Sequence, residues 1–268
     1  MLATDILQAY LDRHPYGVAA STEAQLRSTW RVYLRSCRSS GLDAFDCARA
    51  NDWLDSLRET HRPDTIRTQR GNLLAVWWWA YREELVDEPP LRLRRLRPIS
   101  RSPEAWTLEE VHRLTEMADT ASIWWGSLVR VGYDTAARLG DLLRLRVADV
   151  TGDVISWRQG KTGRATRARI RPETRDKLEV QCRGKTPEAI IWPLWGRREA
   201  FYRRFRRLVE VAGIRRGTFR WLRRAAATQM ERVAPGRGTE LLGHRSRTTT
   251  EQWYIDRGQL SAAPLPPW

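Results

Sequence analysis

Lysine is almost missing from this chain: only Lys161, Lys177 and Lys185 occur among 268 residues, so 44 of the 47 basic residues are arginine. Acidic residues number only 32, leaving a formal charge of +15. Cysteine is equally scarce. Cys37, Cys47 and Cys182 are odd in number and widely spaced, which argues against a disulfide framework and a CxxC metal pair. The four histidines, His14, His61, His112 and His244, are too scattered to form a zinc site by spacing. No apolar run approaches the roughly 20 residues of a membrane span. The opening MLATDILQAYLDRH lacks the basic start and long apolar stretch of a signal peptide. These absences lead to the expectation of a reduced, cytoplasmic protein with no membrane segment, no metal and no cofactor.

What is present is apolar residue in quantity (41%) and a lopsided charge. Residues 1–99 carry 15 basic and 13 acidic groups, whereas residues 100–268 carry 32 and 19. Such an excess on one half suits a polyanion, most often nucleic acid, although an arginine-rich coding bias would also produce it.

The first half reads as helices over residues 4–13, 22–39 and from about Cys47 to Glu59, with Leu26, Trp30, Tyr33 and Leu34 at helical spacing. Pro63 and Asp64 open a longer helix, TIRTQRGNLLAVWWWAYREELV, which Pro89-Pro90 is expected to end. Its Trp77-Trp78-Trp79 run reads as a core shared by two neighbouring helices, in preference to a stack for nucleobases. LRLRRLRPISRSP, residues 91–103, reads as a basic linker. Thr107 and Glu110 form a T-x-x-E capping box, and another helix covers about 122–135. Short strands around Val154–Trp157 and Ala168–Ile170 flank a glycine-containing hairpin, QGKTGRAT. Helices resume at about 173–183, 197–212 and 218–233, and the proline-rich SAAPLPPW reads as extended.

Four segments place a cation or nucleophile where local structure would hold it. Arg138 enters a helix near its positive end, which asks for an anion nearby or a local ion pair; Asp141, three residues on, is placed for a bidentate pair. Arg220 and Arg223 share a helix face, with Arg224 further round, and either phosphate or solvent satisfies them. Lys161 sits at the hairpin tip, where its ammonium can release a proton as arginine cannot, although exposed lysine is ordinary there. In LLGHRSRTTTEQWYID, Gly243 can close a helix, leaving His244 at the turn and Tyr254 beyond the next helix.

Taken in order, Arg138, Lys161, Arg220/Arg223, His244 and Tyr254 resemble the constellation of the tyrosine recombinases, the phage integrase family. TAARLGDLLRL is similar to the first-arginine box, GKTGRATR to the lysine hairpin, and LGHRSRTTTEQWY to the family's ending. The resemblance implies a mainly α fold with a small β-hairpin or sheet, in two domains. Residues 1–90 would be a helical, SAM-like core-binding domain, 91–103 the linker, 104–258 the catalytic domain and 259–268 an extended tail. It further implies that Tyr254 attacks a DNA phosphodiester to form a 3′-phosphotyrosyl link, without metal or ATP. Arg138 and Arg223 would neutralise the phosphate, Lys161 would protonate the leaving oxygen, His244 would hydrogen-bond the phosphate, and Asp141 would support Arg138. Further DNA contacts are expected from Arg67, Arg70, Arg94, Arg95, Arg164, Arg167, Arg224 and Arg245. The expected partner is double-stranded DNA, bound by a homotetramer across two sites that is a monomer or weak dimer when free and associates with the nucleoid. The chain from 255 onward, ending in Trp268, is the expected contact with a neighbour.

Two departures stand out. Arg220 occupies the place of the family's usual histidine in H-x-x-R, and a guanidinium cannot be a general base, which leaves His244 or water to take the Tyr254 proton. Tyr254 also follows His244 by ten residues where nine is commonest, putting Trp253, which has no nucleophilic oxygen, at the usual place. A DNA-binding protein that has lost turnover, or a nicking-closing enzyme of topoisomerase type, are the alternatives.

Overall fold

The computed structural model describes residues 1–14, 17–96, 103–194 and 196–260, and the chain divides into two compact units, 1–100 and 101–268. Among the described residues the first unit holds four α-helices, α1 (Ala3–Arg13), α2 (Ala20–Cys37), α3 (Cys47–Ser56) and α4 (Pro63–Arg82). Leu26, Trp30, Tyr33 and Leu34 all lie on the buried face of α2, as their spacing requires. Aromatic contacts knit this core: Trp30 meets Tyr33 and Phe45, Tyr33 meets Trp53, and Phe45 meets Trp77, with centroids 5.1–5.9 Å apart. Of the tryptophan run, Trp77 is fully buried and donates to the Glu88 carbonyl, while Trp79 packs edge-on against Tyr10 of α1. Trp78 rests against Tyr81 of its own helix.

Two expectations fail here. Helix α4 stops at Arg82, well before Pro89, because Glu84 takes a left-handed conformation (φ 55°) and the Leu85 amide returns to the Ala80 carbonyl at 2.9 Å. Residues 91–96 are also not free linker. Leu93 is 3% exposed in this unit's core, and the Asn51 side chain clasps the Arg92 carbonyl and the Arg94 amide. A single apolar residue among arginines has no period to announce it. Residues 97–102 of the expected linker lie outside the described residues.

The second unit is mostly helical with one small antiparallel sheet. Its elements are α5 (Leu108–Ala121), α6 (Ile123–Thr135), the single turn α7 (Leu139–Leu142), strands β1 (Val150–Thr151), β2 (Val154–Arg158) and β3 (Ala165–Arg169), then α8 (Pro172–Cys182), α9 (Arg198–Val211), α10 (Phe219–Val233), α11 (Gly238–Leu242) and α12 (Arg247–Trp253). The strands pair in sequence order, with Ile155 opposite Val150 on one side and Ala168 on the other. Thr107 and Glu110 form the expected reciprocal cap on α5. Glu110 also takes Arg215 in a bidentate pair and its amide, fastening the start of α5 to the segment before α10.

Helix α6 is buried around most of its circumference, through Trp124, Leu128, Val129, Val131 and Tyr133, which marks it as the centre of this unit. Gly132 lets α10 approach closely: a Cβ there would come within 2.8 Å of the Phe219 ring. Ala225, Ala226 and Ala227 face inward on α10 for the same reason. The last described segment folds back on this unit, since Ile255 is buried, the Asp256 amide donates to Thr228, and Asp256 accepts from the Ala105 amide. The expected reach toward a neighbour therefore does not begin at 255, nor the extended tail at 259, where Gln259 donates to the Ala105 carbonyl. Residues 261–268 lie outside the described residues.

Candidate active site

The end of α6 sets the first cation. Ala136 turns left-handed (φ 48°) and Arg138 then caps the single turn α7 in an extended conformation. Its guanidinium donates to Gln159 Oε1 at 2.7 Å. The expected bidentate pair with Asp141 does not form: the nearest approach is 3.9 Å, because Asp141 Oδ1 instead receives Arg144 at 2.5 Å and the Gly160 amide at 2.9 Å.

Gln159 opens the turn between β2 and β3. Its backbone pairs with Arg164 and Gly163, leaving Lys161 exposed at the tip. Arg164 reaches from the same turn to the carbonyls of Gly243 and His244. The Lys161 hairpin is thus tied both to α7 and to the turn between α11 and α12.

Arg223 comes from the first half of α10 and is 3% exposed. Its Nη1 donates to the Ala136 carbonyl, and its Nη2 to the Leu242 carbonyl (3.0 Å) and toward His244 Nε2 (3.1 Å). No carboxylate lies within ion-pair distance among the described residues, and its Nε has no hydrogen-bond acceptor. Burial pushes its pKa down to about 10, with Arg138 adding in the same direction, so the group stays charged at neutral pH. Burying an unpaired cation costs several kcal/mol, on the order expected for one desolvated ion.

Gly243 ends α11 at φ 62°, and a Cβ there would collide with the Gln159 side chain. The turn delivers His244, whose Nδ1 lies 2.9 Å from Thr250 Oγ1 of α12. Since the guanidinium of Arg223 can only donate to Nε2, the proton belongs on Nδ1, donated to Thr250. Burial first, then Arg223, Arg138 and Arg220, lower the His244 pKa to about 4. The imidazole is therefore neutral at physiological pH, with both nitrogens engaged.

Tyr254 caps α12 and is 8% exposed, its ring edge-on to His244 at 4.8 Å. Arg220 and Arg223 each hold a guanidinium carbon 5.1 Å from the ring centroid, as their shared helix face required. Burial raises the pKa of the phenol, but the charges of Arg223, Arg220 and Arg138 outweigh it, and the net shift is downward. Trp253, 40% exposed, ends the helix beside it at the rim.

Arg138, Lys161, Arg220, His244 and Tyr254 line one cleft of about 920 Å³, with Arg164 and Arg245 on its wall, while buried Arg223 touches two of its lining residues, His244 and Tyr254. The arrangement can receive an anionic group, with cations on several sides and the tyrosine ring among them. Other expected contacts lie elsewhere. Arg167 is exposed on β3 and Arg95 is exposed in the first unit. Arg224 binds the carbonyls of Trp253 and Glu104, Arg70 those of Leu93 and Arg94, and Arg94 and Arg67 pair with Asp55 and Asp64. Sequence reasoning missed Gln159, Thr250 and Arg144. It also passed over exposed Arg203, Arg204 and Arg206 on α9, which the inward spacing of Phe201, Phe205 and Leu208 would have revealed.

Comparison with solved structures gives the fold over the whole length. A lambda integrase dimer bound to a COC′ core site matches with a TM-score of 0.81 and 20% identity, over 99% of this chain and 80% of that one. A lambda integrase tetramer bound to a Holliday junction matches equally. The Tn1549 transposon integrase (residues 82–397), in complex with circular intermediate DNA, matches with a TM-score of 0.72 and 16% identity, over 97% and 96% of the two chains. Among curated proteins, none matches this sequence. The model of the phage integrase family matches residues 105–259, more than half of the chain and every residue of the cleft, so this chain belongs to the phage integrase family.

Proposed function

We propose that this protein is a site-specific DNA recombinase that cuts and rejoins DNA through a 3′-phosphotyrosyl intermediate. The observation that carries the proposal is the convergence of Tyr254 with Arg138, Arg220, Arg223, His244 and the Lys161 hairpin, drawn from separate parts of the second unit. In this reading Tyr254 Oη attacks the phosphorus, and the bond from phosphorus to the 5′ oxygen breaks. Arg138, Arg220 and Arg223 balance the charge that builds on the non-bridging oxygens. Lys161 gives its proton to the departing 5′ oxygen, and the phosphotyrosyl ester conserves the bond for rejoining.

His244 does not serve as base, because its Nε2 faces Arg223 and its proton sits toward Thr250. The Tyr254 proton leaves to water, made easier by the arginines around the ring. His244 instead orients Arg223, and with both ring nitrogens engaged it is a positioning group in this reading, not a phosphate donor. Strand exchange would use two duplexes and four protomers, on the precedent of the lambda integrase tetramer on a Holliday junction. Binding would be dominated by phosphate contacts; with about eight neutralised, log K falls with log salt at a slope near −7.

The test uses a randomised duplex library carrying a nick, from which SDS-resistant protein–DNA adducts are captured and sequenced. Adduct from the wild type and none from Tyr254→Phe is the expected result. Tight binding without adduct would leave a DNA-occupying protein. Exchange between two marked duplexes then separates recombination from nicking and closing.

A further inference from the structure

Gln159 is a charge-neutral residue, 2% exposed, that accepts from one of the cleft's cations. Its side chain makes three hydrogen bonds to three separate parts of the cleft. Oε1 accepts from Arg138 Nη1 at 2.7 Å and from Thr162 Oγ1, next to Lys161 on the hairpin, at 3.0 Å. Nε2 donates to the Leu242 carbonyl at 3.2 Å, the same carbonyl that receives Arg223. One planar amide therefore touches the segment holding the first arginine, the turn holding the lysine, and the strap that leads to His244.

The chemistry of the amide suits this place and few others do. The oxygen has two lone pairs, and both are used by donors; the nitrogen supplies the donor that a carbonyl needs. A carboxylate would neutralise Arg138 and repel Leu242 O, and a lysine would repel Arg138. The fit is also steric, since Gly243 must lack a Cβ for Gln159 to occupy its position. Asp141, which holds Arg144 and the Gly160 amide, leaves Arg138 to Gln159.

We propose that Gln159 is a positioning residue that couples Arg138 to the Lys161 hairpin, so that the two cations are presented to one phosphate in fixed relation. The inference rests on the recombinase reading above. A near-isosteric amide-to-thioether change, Gln159→Met, lowers the single-turnover rate of adduct formation about 30-fold on a nicked duplex selected from the randomised library. Affinity for that duplex changes less than 3-fold, because phosphate charge is untouched.

The decisive readout is a double-mutant cycle. In an Arg138→Ala background there is no guanidinium to hold, and Gln159→Met costs less than a further 3-fold. A second cycle uses exposed Thr162, whose substitution does not threaten folding. Thr162→Val slows adduct formation about 5-fold in the wild type and has no effect once Lys161 is Ala. Should Gln159→Met fail to fold, the Thr162 cycle decides. Penalties that multiply in the tested cycle overturn the positioning role while leaving the recombinase reading intact. Absence of adduct from the wild type itself overturns both.

Discussion

The arginines of the first unit and those in the cleft of the second are the same residue put to opposite uses. In the first unit Arg49 pairs with Asp43, Arg94 with Asp55, Arg67 with Asp64, and Arg70 is spent on two backbone carbonyls. In the cleft of the second unit, Arg220 and Arg223 have no carboxylate within ion-pair distance among the described residues, and Arg138 has one only at 3.9 Å. Charge answered by the protein's own acids is structural and largely screened. Charge held in a half-buried cleft without an acid is open to an anion from outside, and under the proposed function that anion is a phosphodiester.

Changing the unanswered arginines gives the largest effects. Arg223→Ala is expected to cut adduct formation by about a thousandfold, since it removes a preorganised donor at the transition state. It also removes the side-chain donor to the Ala136 carbonyl and one of two donors to the Leu242 carbonyl, so the melting temperature falls with it. Arg220→Ala is expected to cost about 30-fold and, more tellingly, to move the pH–rate profile. The charges around Tyr254 lower its pKa, so removing one shifts the rising limb of the profile toward alkaline pH. An unmoved limb would show that phenol ionisation does not limit the step.

The answered arginines predict stability effects instead. Glu110 is held at a pKa of about 2, burial opposing and Arg215 and backbone amides prevailing, against 4.5 for the ordinary carboxyl. Its folded pKa is depressed, so its stabilisation is present above pH 4.5 and is lost as pH falls toward 2. Screening by half-exposed Arg215 leaves about 2 kcal/mol, and Glu110→Gln should flatten denaturation midpoints across that window. Arg70→Met is expected to destabilise the first unit by about 1 kcal/mol, read by thermal melting, while leaving the salt slope of DNA binding unchanged. A slope reduced by about one would place Arg70 on phosphate and break the contrast between the units.

How far the sequence carried depends on the range of the interaction. Local signals were legible: the Thr107 cap spans three residues, Gly243 closes its helix where a glycine should, and the buried face of α2 follows its period. The residues of the cleft were legible as a set, through the order of their motifs. The Asp141 pairing was misread because two partners compete for it: Arg144, at the same spacing of three as Arg138, and the Gly160 amide, 19 residues away across a sheet turn. Gln159 was invisible for the same reason, its partners being 21 and 83 residues distant. The early stop of α4 turned on Glu84 adopting a conformation that its side chain does not advertise.

The long reach of Arg223 has a consequence for timing. Its carbonyl partners are 87 residues before it and 19 after it, so the cleft is completed only when α6, α10 and the end of α11 are all in place. A chain emerging from synthesis, or one locally unravelled, already carries the arginine charge that draws it to a polyanion. It has no assembled pocket around Tyr254. Under the proposed function, attraction to DNA then comes early in the life of the molecule and strand breakage comes last, an interlock written into contact order rather than into any separate inhibitor.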